Sequence, residues 1–456
     1  MIAPRGRLRA LGCRLLLERA FPEAWAVHRR TQWCSADAVR DRQREWARAA
    51  LEAAYRSSPS DRRRLEEAGW PTRGPEALDR MRPLPRAEAA AAARLRPLGG
   101  RRASGGSGGA PLAVPVDRET YGWYVAGTWR GFAWWGIEPG DPVAVLLGGA
   151  GAASLVARAK DWALRWRRIP VDERFDGEAP AILDRIERFA PALIYGYPSA
   201  VHRLARIARD RGWRPRSRLR VVVLTGEPVY AFQRRAIEEA LGCPTAEEYG
   251  SGELGCMAFE CPHGTLHVAA ESVLLEIVPP AGPWSGEGGL ILATHLRNRR
   301  FPLIRYETGD LGLFVSGPCR CGRGLPAIRV LGRTRDRLIG ARGAVPARPR
   351  LERFFGALPE HLRGRVRIAH GAAGAVVLQV ERGLASPADL DRLAAAGRDV
   401  FHPEWHVQLA EVAQFARMPS GKLLYFLARP DCDAVSRRRP PAEGETRTGV
   451  ERAARL

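Results

Sequence analysis

Lysine is almost missing from this chain. Only Lys160 and Lys422 stand among 72 basic residues, arginine holding every other place. Lysine is a compact point charge on a flexible stem, whereas arginine is a rigid planar fork. A lysine kept against that bias is suited to reaching into a site and neutralising a reacting carboxylate or phosphate. Lys422 lies in Pro419-Ser420-Gly421-Lys422. The alternative is a solvated surface side chain, and the rest of the chain decides between the two. Long apolar runs are also missing. No stretch reaches the ~20 residues of a membrane-spanning helix. In the arginine-rich segment Met1 to Arg19, Leu15-Leu16-Leu17 is too short for a signal-peptide core. No membrane partner is expected, and the protein is read as cytoplasmic. Cysteine is sparse, eight residues in 456, which does not suggest a disulfide scaffold.

What is present sets the class. The net charge of +22 would attract polyanions at low salt. The arginines are spread along the chain, however, and no helix-turn-helix, RNA-recognition or finger pattern accompanies them, so no specific nucleic-acid partner is expected. A length of 456 residues with 45% hydrophobic content suggests a large domain plus a smaller one. Residues 24–100 read as helical, including Trp33 to Tyr55 and the alanine-rich Ala87 to Leu95. After a glycine-serine loop, Arg101 to Pro111, apolar runs at 142–147, 192–195 and 220–224 read as buried strands. Segments 180–189, 199–210 and 231–241 read as helices between them, which implies a parallel sheet covered on both faces. From about residue 265 short strands at 267–268, 274–278, 289–294 and 311–315 form a β-rich subdomain.

The expected fold class is therefore α/β. A large N-terminal domain of parallel-sheet layers with a β-rich subdomain spans 1–331, and a hinge spans 332–343. A small mobile α+β domain spans 344–430, with strands at 366–369, 375–381 and 408–412 and a helix at 387–397. Residues 431–456 read as a disordered tail.

Four short stretches carry candidate chemistry. Ser104-Gly105-Gly106-Ser107-Gly108-Gly109 can turn several backbone N–H groups toward a phosphate, although it equally fits a surface linker. Leu224-Thr225-Gly226-Glu227-Pro228 follows a buried strand, where ligands of open α/β sheets bind, and Gly226 would let a flat ring approach. In Glu248-Tyr249-Gly250-Ser251-Gly252-Glu253, Tyr249 offers a stacking face and Glu253 a hard oxygen ligand for Mg²⁺. Tyr306-Glu307-Thr308-Gly309-Asp310 is read as ending a strand, with Asp310 able to accept from two ribose hydroxyls.

In this order, together with Ile304-Arg305, Gly332-Arg333-Thr334-Arg335-Asp336 and Pro419-Ser420-Gly421-Lys422, the motifs resemble the adenylate-forming superfamily of acyl- and aryl-CoA ligases. The nearest branch is the phenylacetate–CoA ligase family, with its capsule-biosynthesis and coenzyme F390 synthetase-like members. The resemblance runs from about Trp33 to Phe426. It implies that Ser104, Gly105, Gly106, Ser107 and Gly108 wrap the phosphates of ATP. Gly226, Glu227 and Pro228 would line one face of adenine, with Tyr249 on the other and Glu248 near the ring edge, and Gly250 and Ser251 would also bind the cofactor. Glu253 would carry Mg²⁺, Asp310 and Arg333 would grip the ribose, Asp336 would sit at the hinge, and Lys422 would reach the carboxylate and α-phosphate. The implied partners are a small carboxylic acid and coenzyme A, and a homodimer is compatible.

The chain departs from that pattern at Gly106, Gly109 and Ala110 in the phosphate loop, at Gly252 before Glu253, and at Arg335 in the hinge. For that reason a nucleotide-binding protein that has lost catalysis stays open. So does a different acceptor: an amine in capsule or secondary-metabolite assembly, or adenylyl transfer to a cofactor.

A second constellation joins Cys261 and His267 to Cys319-Arg320-Cys321-Gly322. Three thiolates and an imidazole make a closed structural Zn²⁺ shell, with His263 as the alternative to His267. Buried free thiols are the other reading. Trp123, Trp129, Trp134 and Trp135 read as core residues, some of which could wall an aromatic-acid pocket.

Overall fold

The computed structural model describes residues 20–94, 101–103, 112–148, 155–172, 174–215, 219–280, 284, 286–340, 343–370, 374–415, 417–418 and 420–428. The expected phosphate loop, Ser104 to Gly109, lies outside the described residues, as do Pro419 and the tail from 431.

Helices α1 (Phe21–Thr31), α2 (Ala36–Ser57), α3 (Pro59–Glu67) and α4 (Arg86–Arg94) open the chain. The helix read from Trp33 onward starts at Ala36, because Ser35 caps it by accepting from Ala38 N–H. Strands β1 (Arg101–Ala103) and β2 (Ala113–Pro115) form a small antiparallel ribbon. Next comes α5 (Arg118–Trp134), whose N-terminus is capped by Asp117 accepting from Thr120 N–H at 2.8 Å.

Strands β3 (Val143–Leu147), β5 (Leu193–Gly196), β6 (Val221–Thr225) and the start of β7 (Thr245–Ser251) pair in parallel, with β4 (Trp166–Pro170) on the edge. Runs such as Val-Val-Val-Leu-Thr are buried throughout because helices cover both faces. Helices α7 (Phe175–Phe189), α8 (Pro198–Asp210) and α9 (Ala231–Leu241) pack on one face; α1 and α5 pack on the other, and α6 (Leu155–Ala163) lies beside β4.

The β-rich part continues the same sheet. Strands β8 (Gly255–Glu260), β9 (Leu266–Val268), β10 (Val273–Val278), β11 (Gly289–His295), β12 (Tyr306–Val315) and β13 (Ala327–Arg333) extend it with antiparallel pairs. The order is β10-β11-β12-β13-β9-β8-β7-β6-β5-β3-β4. Tyr306 to Asp310 therefore begins β12 rather than ending a strand. A buried triad ties the two halves together. Arg130 of α5 donates through Nη1 to both oxygens of Glu271 at 2.8 and 2.9 Å, and His28 Nδ1 lies 3.1 Å from the same carboxylate. Although burial pushes Glu271 upward, Arg130 and His28 pull it down to about 2.

A two-stranded ribbon, β14 (Arg337–Gly340) and β15 (Gly343–Pro346), leads into the C-terminal part. There a sheet of order β18-β17-β16-β19 is built from β16 (Val366–His370), β17 (Ala375–Glu381), β18 (His406–Val412) and β19 (Phe426–Leu427), with α10 (Ala347–Ala357) and α11 (Pro387–Phe401) against it. Its core is shared with the large part. Tyr230 and Phe232 pack on Phe355 at 5.3 and 4.9 Å between ring centroids, and Tyr230 meets Tyr425 at 5.7 Å. Among the described residues no helix is long and apolar enough to cross a membrane.

Candidate active site

The site forms where the C-terminal ends of the parallel strands meet the small domain. Strand β6 ends at Thr225, and Gly226 turns the chain with φ of 78°, a conformation that side-chain-bearing residues resist. A Cβ built on Gly226 would lie 3.4 Å from Lys422 Nζ, so the ammonium sits beside this turn in space that a side chain would take. Lys422 is 8% exposed and lies over the Tyr197 ring at 5.4 Å.

Two glycines let its loop dock. A Cβ on Gly421 would fall 2.1 Å from the Val171 carbonyl oxygen, and one on Gly148 would fall 1.8 Å from the Ser420 carbonyl oxygen. The loop is thus seated against the ends of β3 and β4. Glu227 fastens it: its carboxylate accepts from Leu423 N–H at 2.9 Å and from Ser199 N–H and Oγ–H at 2.9 and 3.0 Å. Glu227, expected beside adenine, is taken up by this strap. Burial lowers the Lys422 pKa, while Glu227 opposes that shift; Arg333, Asp310 and Glu253 also act on it. The sequence-expected residues Lys422, Glu227, Asp310, Arg333 and Glu253 therefore share one electrostatic neighbourhood.

Asp310 and Arg333 are directly paired across β12 and β13, with Arg333 Nε 3.5 Å from Asp310 Oδ1. Tyr249 Oη–H donates to Asp310 Oδ2 at 2.8 Å. Asp336 lies just past β13, its backbone closing a turn with the Arg333 carbonyl at 3.0 Å. Glu253 is 2% exposed. Its Oε1 accepts from Arg86 at 3.0 Å and from Tyr306 Oη–H at 3.1 Å. Its Oε2 is buried and meets no hydrogen-bond donor among the described residues. An unpaired carboxylate oxygen of this kind fits a divalent cation that keeps most of its shell for water and phosphate. Sequence reasoning missed Arg86, which is separated from Glu253 by 167 positions. The only local signal was its place at the start of α4.

Glu248 is not brought to the side of Tyr249. Alternation along β7 sends it to the α5 face, where Thr128 Oγ1–H donates to it at 2.9 Å and Tyr195 Oη–H donates to its other oxygen. Trp123 and Trp129 are core residues; Trp134 donates to Gln32 Oε1 and Trp135 to the Glu260 carbonyl. The side of α5 that stays partly open is instead Tyr121, Val125 and Thr128.

The cysteine cluster assembles as expected. Ligand atoms of Cys261, His267, Cys319 and Cys321 all lie within 4.8 Å of one another. Cys261 Sγ is 3.7 Å from Cys319 Sγ, and Cys321 Sγ is 3.2 Å from His267 Nε2. Tetrahedral Zn²⁺ with ~2.3 Å bonds to sulfur would set its ligands about this far apart. His267 Nδ1 faces the Leu325 carbonyl at 3.2 Å, which leaves Nε2 for a metal. His263 is exposed and outside the cluster, and Cys256 lies beside Glu248 instead.

No family model matches the chain. The phenylacetate-coenzyme A ligase of Thermus thermophilus is 28% identical over 342 residues, covering 71% of this chain and 76% of its own length. That of Pseudomonas putida is 27% identical over 327 residues, covering 67% and 73%. A 2-hydroxyisobutyryl-CoA ligase solved in the postadenylation state with R3-HIB-AMP has the same fold, with a TM-score of 0.71, 21% identity, and coverage of 90% of this chain and 94% of that one. The same ligase in its thioesterification state aligns at 0.54 with 22% identity over the same shares. The chain is thus similar to the ligases that its motif order resembles.

Proposed function

We propose that this protein activates a carboxylic acid with ATP as an acyl-adenylate and passes the acyl group to the thiol of coenzyme A. The observation that carries the reading is the buried ammonium of Lys422, docked at Gly226 and within electrostatic reach of Asp310, Arg333 and Glu253. Two anions must meet in the first step. A substrate carboxylate oxygen bonds to the α-phosphorus, and the bond to the departing pyrophosphate breaks. Lys422 would sit between carboxylate and α-phosphate and stabilise charge that grows in the transition state. Asp310, held by Tyr249 and paired with Arg333, would accept the ribose hydroxyls. Mg²⁺ bound through Glu253 Oε2 would supply further neutralisation of the phosphates.

In the second step the thiol attacks the acyl carbon and AMP leaves. The small domain would turn about the segment holding Asp336 and withdraw Lys422, as relatives seen in two arrangements suggest. The Cys261–His267–Cys319–Cys321 set would hold Zn²⁺ structurally, since all four positions are taken by protein. The test is mass-spectrometric detection of acyl-CoA and AMP from the purified protein with ATP, Mg²⁺, coenzyme A and a panel of acids. Stoichiometric thioester and AMP are expected. AMP formation with amines but not with coenzyme A would transfer the reading to an amide ligase.

A further inference from the structure

One buried acidic group has no part in the adenylation chemistry described above. Glu248 is 5% exposed and lies on the α5 face of β7. Its position is fixed by pairing. Glu248 stands opposite Thr225, and Thr225 directly precedes Gly226, the turn beside which Lys422 sits. Neighbouring strands are ~4.8 Å apart, so this carboxylate lies one strand and one residue from the proposed reaction centre.

The groups around it come from separate elements: Thr128 from α5, Tyr195 from β5, Thr225 from β6 and Cys256 from β8. All are neutral. Arg130, whose charge reaches the neighbouring Cys256, is committed to Glu271 by two hydrogen bonds. A buried carboxylate with hydroxyl partners and no counter-charge is costly as an ion. Burial accordingly pushes its pKa up. Among the described residues no cation pairs with this carboxylate, and Tyr121, Val125 and Thr128 leave an only partly covered stripe of α5 beside it.

The geometry points to Glu248 as a specificity-determining residue of the same site: it receives a protonated amino group of the substrate, so the class of acid activated is an amino-substituted carboxylic acid. The inference rests on the adenylation reading. With the acid's carboxylate at Lys422, the rest of the molecule would extend along the α5 face toward β7. The amine would donate to Glu248, and the paired charges would be satisfied inside the site. An apolar acid of the same shape would leave the carboxylate without a counter-charge, which is a basis for rejection.

The experiment is ATP–pyrophosphate exchange by the full chain. It compares ω-amino and aminomethyl acids with isosteres bearing methyl in place of the ammonium, in wild type, Glu248→Gln and Glu248→Leu. Wild type is expected to favour the amino acids by at least tenfold in kcat/KM. Glu248→Gln should lose most of that preference and Glu248→Leu should reverse it. Thermal melts show whether each variant folds, and the isosteric Glu248→Gln keeps the test valid should the leucine variant not fold. Exchange that ignores the amine, or a preference that survives in Glu248→Gln, overturns the assignment alone. Absence of exchange with every acid overturns the adenylation reading as well.

Discussion

A lone lysine in an arginine-rich chain acquires meaning from what surrounds it. Lys422 is buried, docked on glycine and placed over an aromatic face, none of which suits a solvated side chain. Its pKa is lowered chiefly by burial. The sign follows directly: a lowered value means that the ammonium loses its proton at a lower pH than an ordinary lysine. The adenylation rate should therefore fall on an alkaline limb below the usual lysine range. A pH profile of pyrophosphate exchange checks this, and a Lys422→Arg variant, whose guanidinium does not titrate there, should lack that limb in whatever activity it keeps. At this scale the sequence was only partly readable. Lys422, Asp310, Arg333 and Glu253 came from motif order. Arg86 and Tyr195 did not, because each reaches its partner across a distance that only the folded sheet closes. Glu248 and Tyr249 are neighbours in sequence, yet alternation on β7 separates them into two environments.

At the scale of elements, turns and loops do the positioning. The Ser420–Lys422 loop fits against β3 and β4 only because Gly148 and Gly421 lack side chains, and Gly421 also has φ of 82°. Gly421→Ala should therefore push the loop off its seat. Acyl-adenylate formation is expected to fall by at least ~10-fold, as a misplacement of about 1 Å can cost a hundredfold. Thioester formation from supplied acyl-adenylate should change far less, because that step does not need the ammonium in place; single-turnover assays of each half-reaction measure the contrast. The cysteine cluster clips the β8–β9 connection to the loop before β13. Elemental analysis of the purified protein is expected to find zinc, and Cys319→Ser should abolish it and lower Tm; an unchanged metal content and Tm in that variant would remove the structural role.

Elements such as 231–241 and 375–381 were legible from their apolar pattern. Strand β4 was not, since Arg167 and Arg168 are exposed on a sheet edge and disguise the pattern. Helix α10 was hidden by Pro346 and Pro349, although Leu351, Phe354, Phe355 and Leu358 follow helical spacing into the core.

For the whole molecule, the two parts are joined by a ring cluster of Tyr230, Phe232, Phe355 and Tyr425 and by the Glu227 strap. Any rotation that frees the thiol's path must undo both. Length and the change of pattern after residue 343 suggested a large and a small part; the long-range joint between them was beyond the sequence because its members are scattered over nearly 200 positions. Adenylation by this mechanism depends on the small domain delivering one ammonium to the place where carboxylate and α-phosphate meet. Pyrophosphate exchange by Lys422→Ala, with ATP binding measured alongside by calorimetry, tests this most directly. Exchange is expected to drop ~10²–10³-fold, the scale of losing one aligned charge in a transition state, with ATP affinity within a few-fold of wild type. Exchange at the wild-type rate would contradict the proposed role of Lys422 and with it the mechanism.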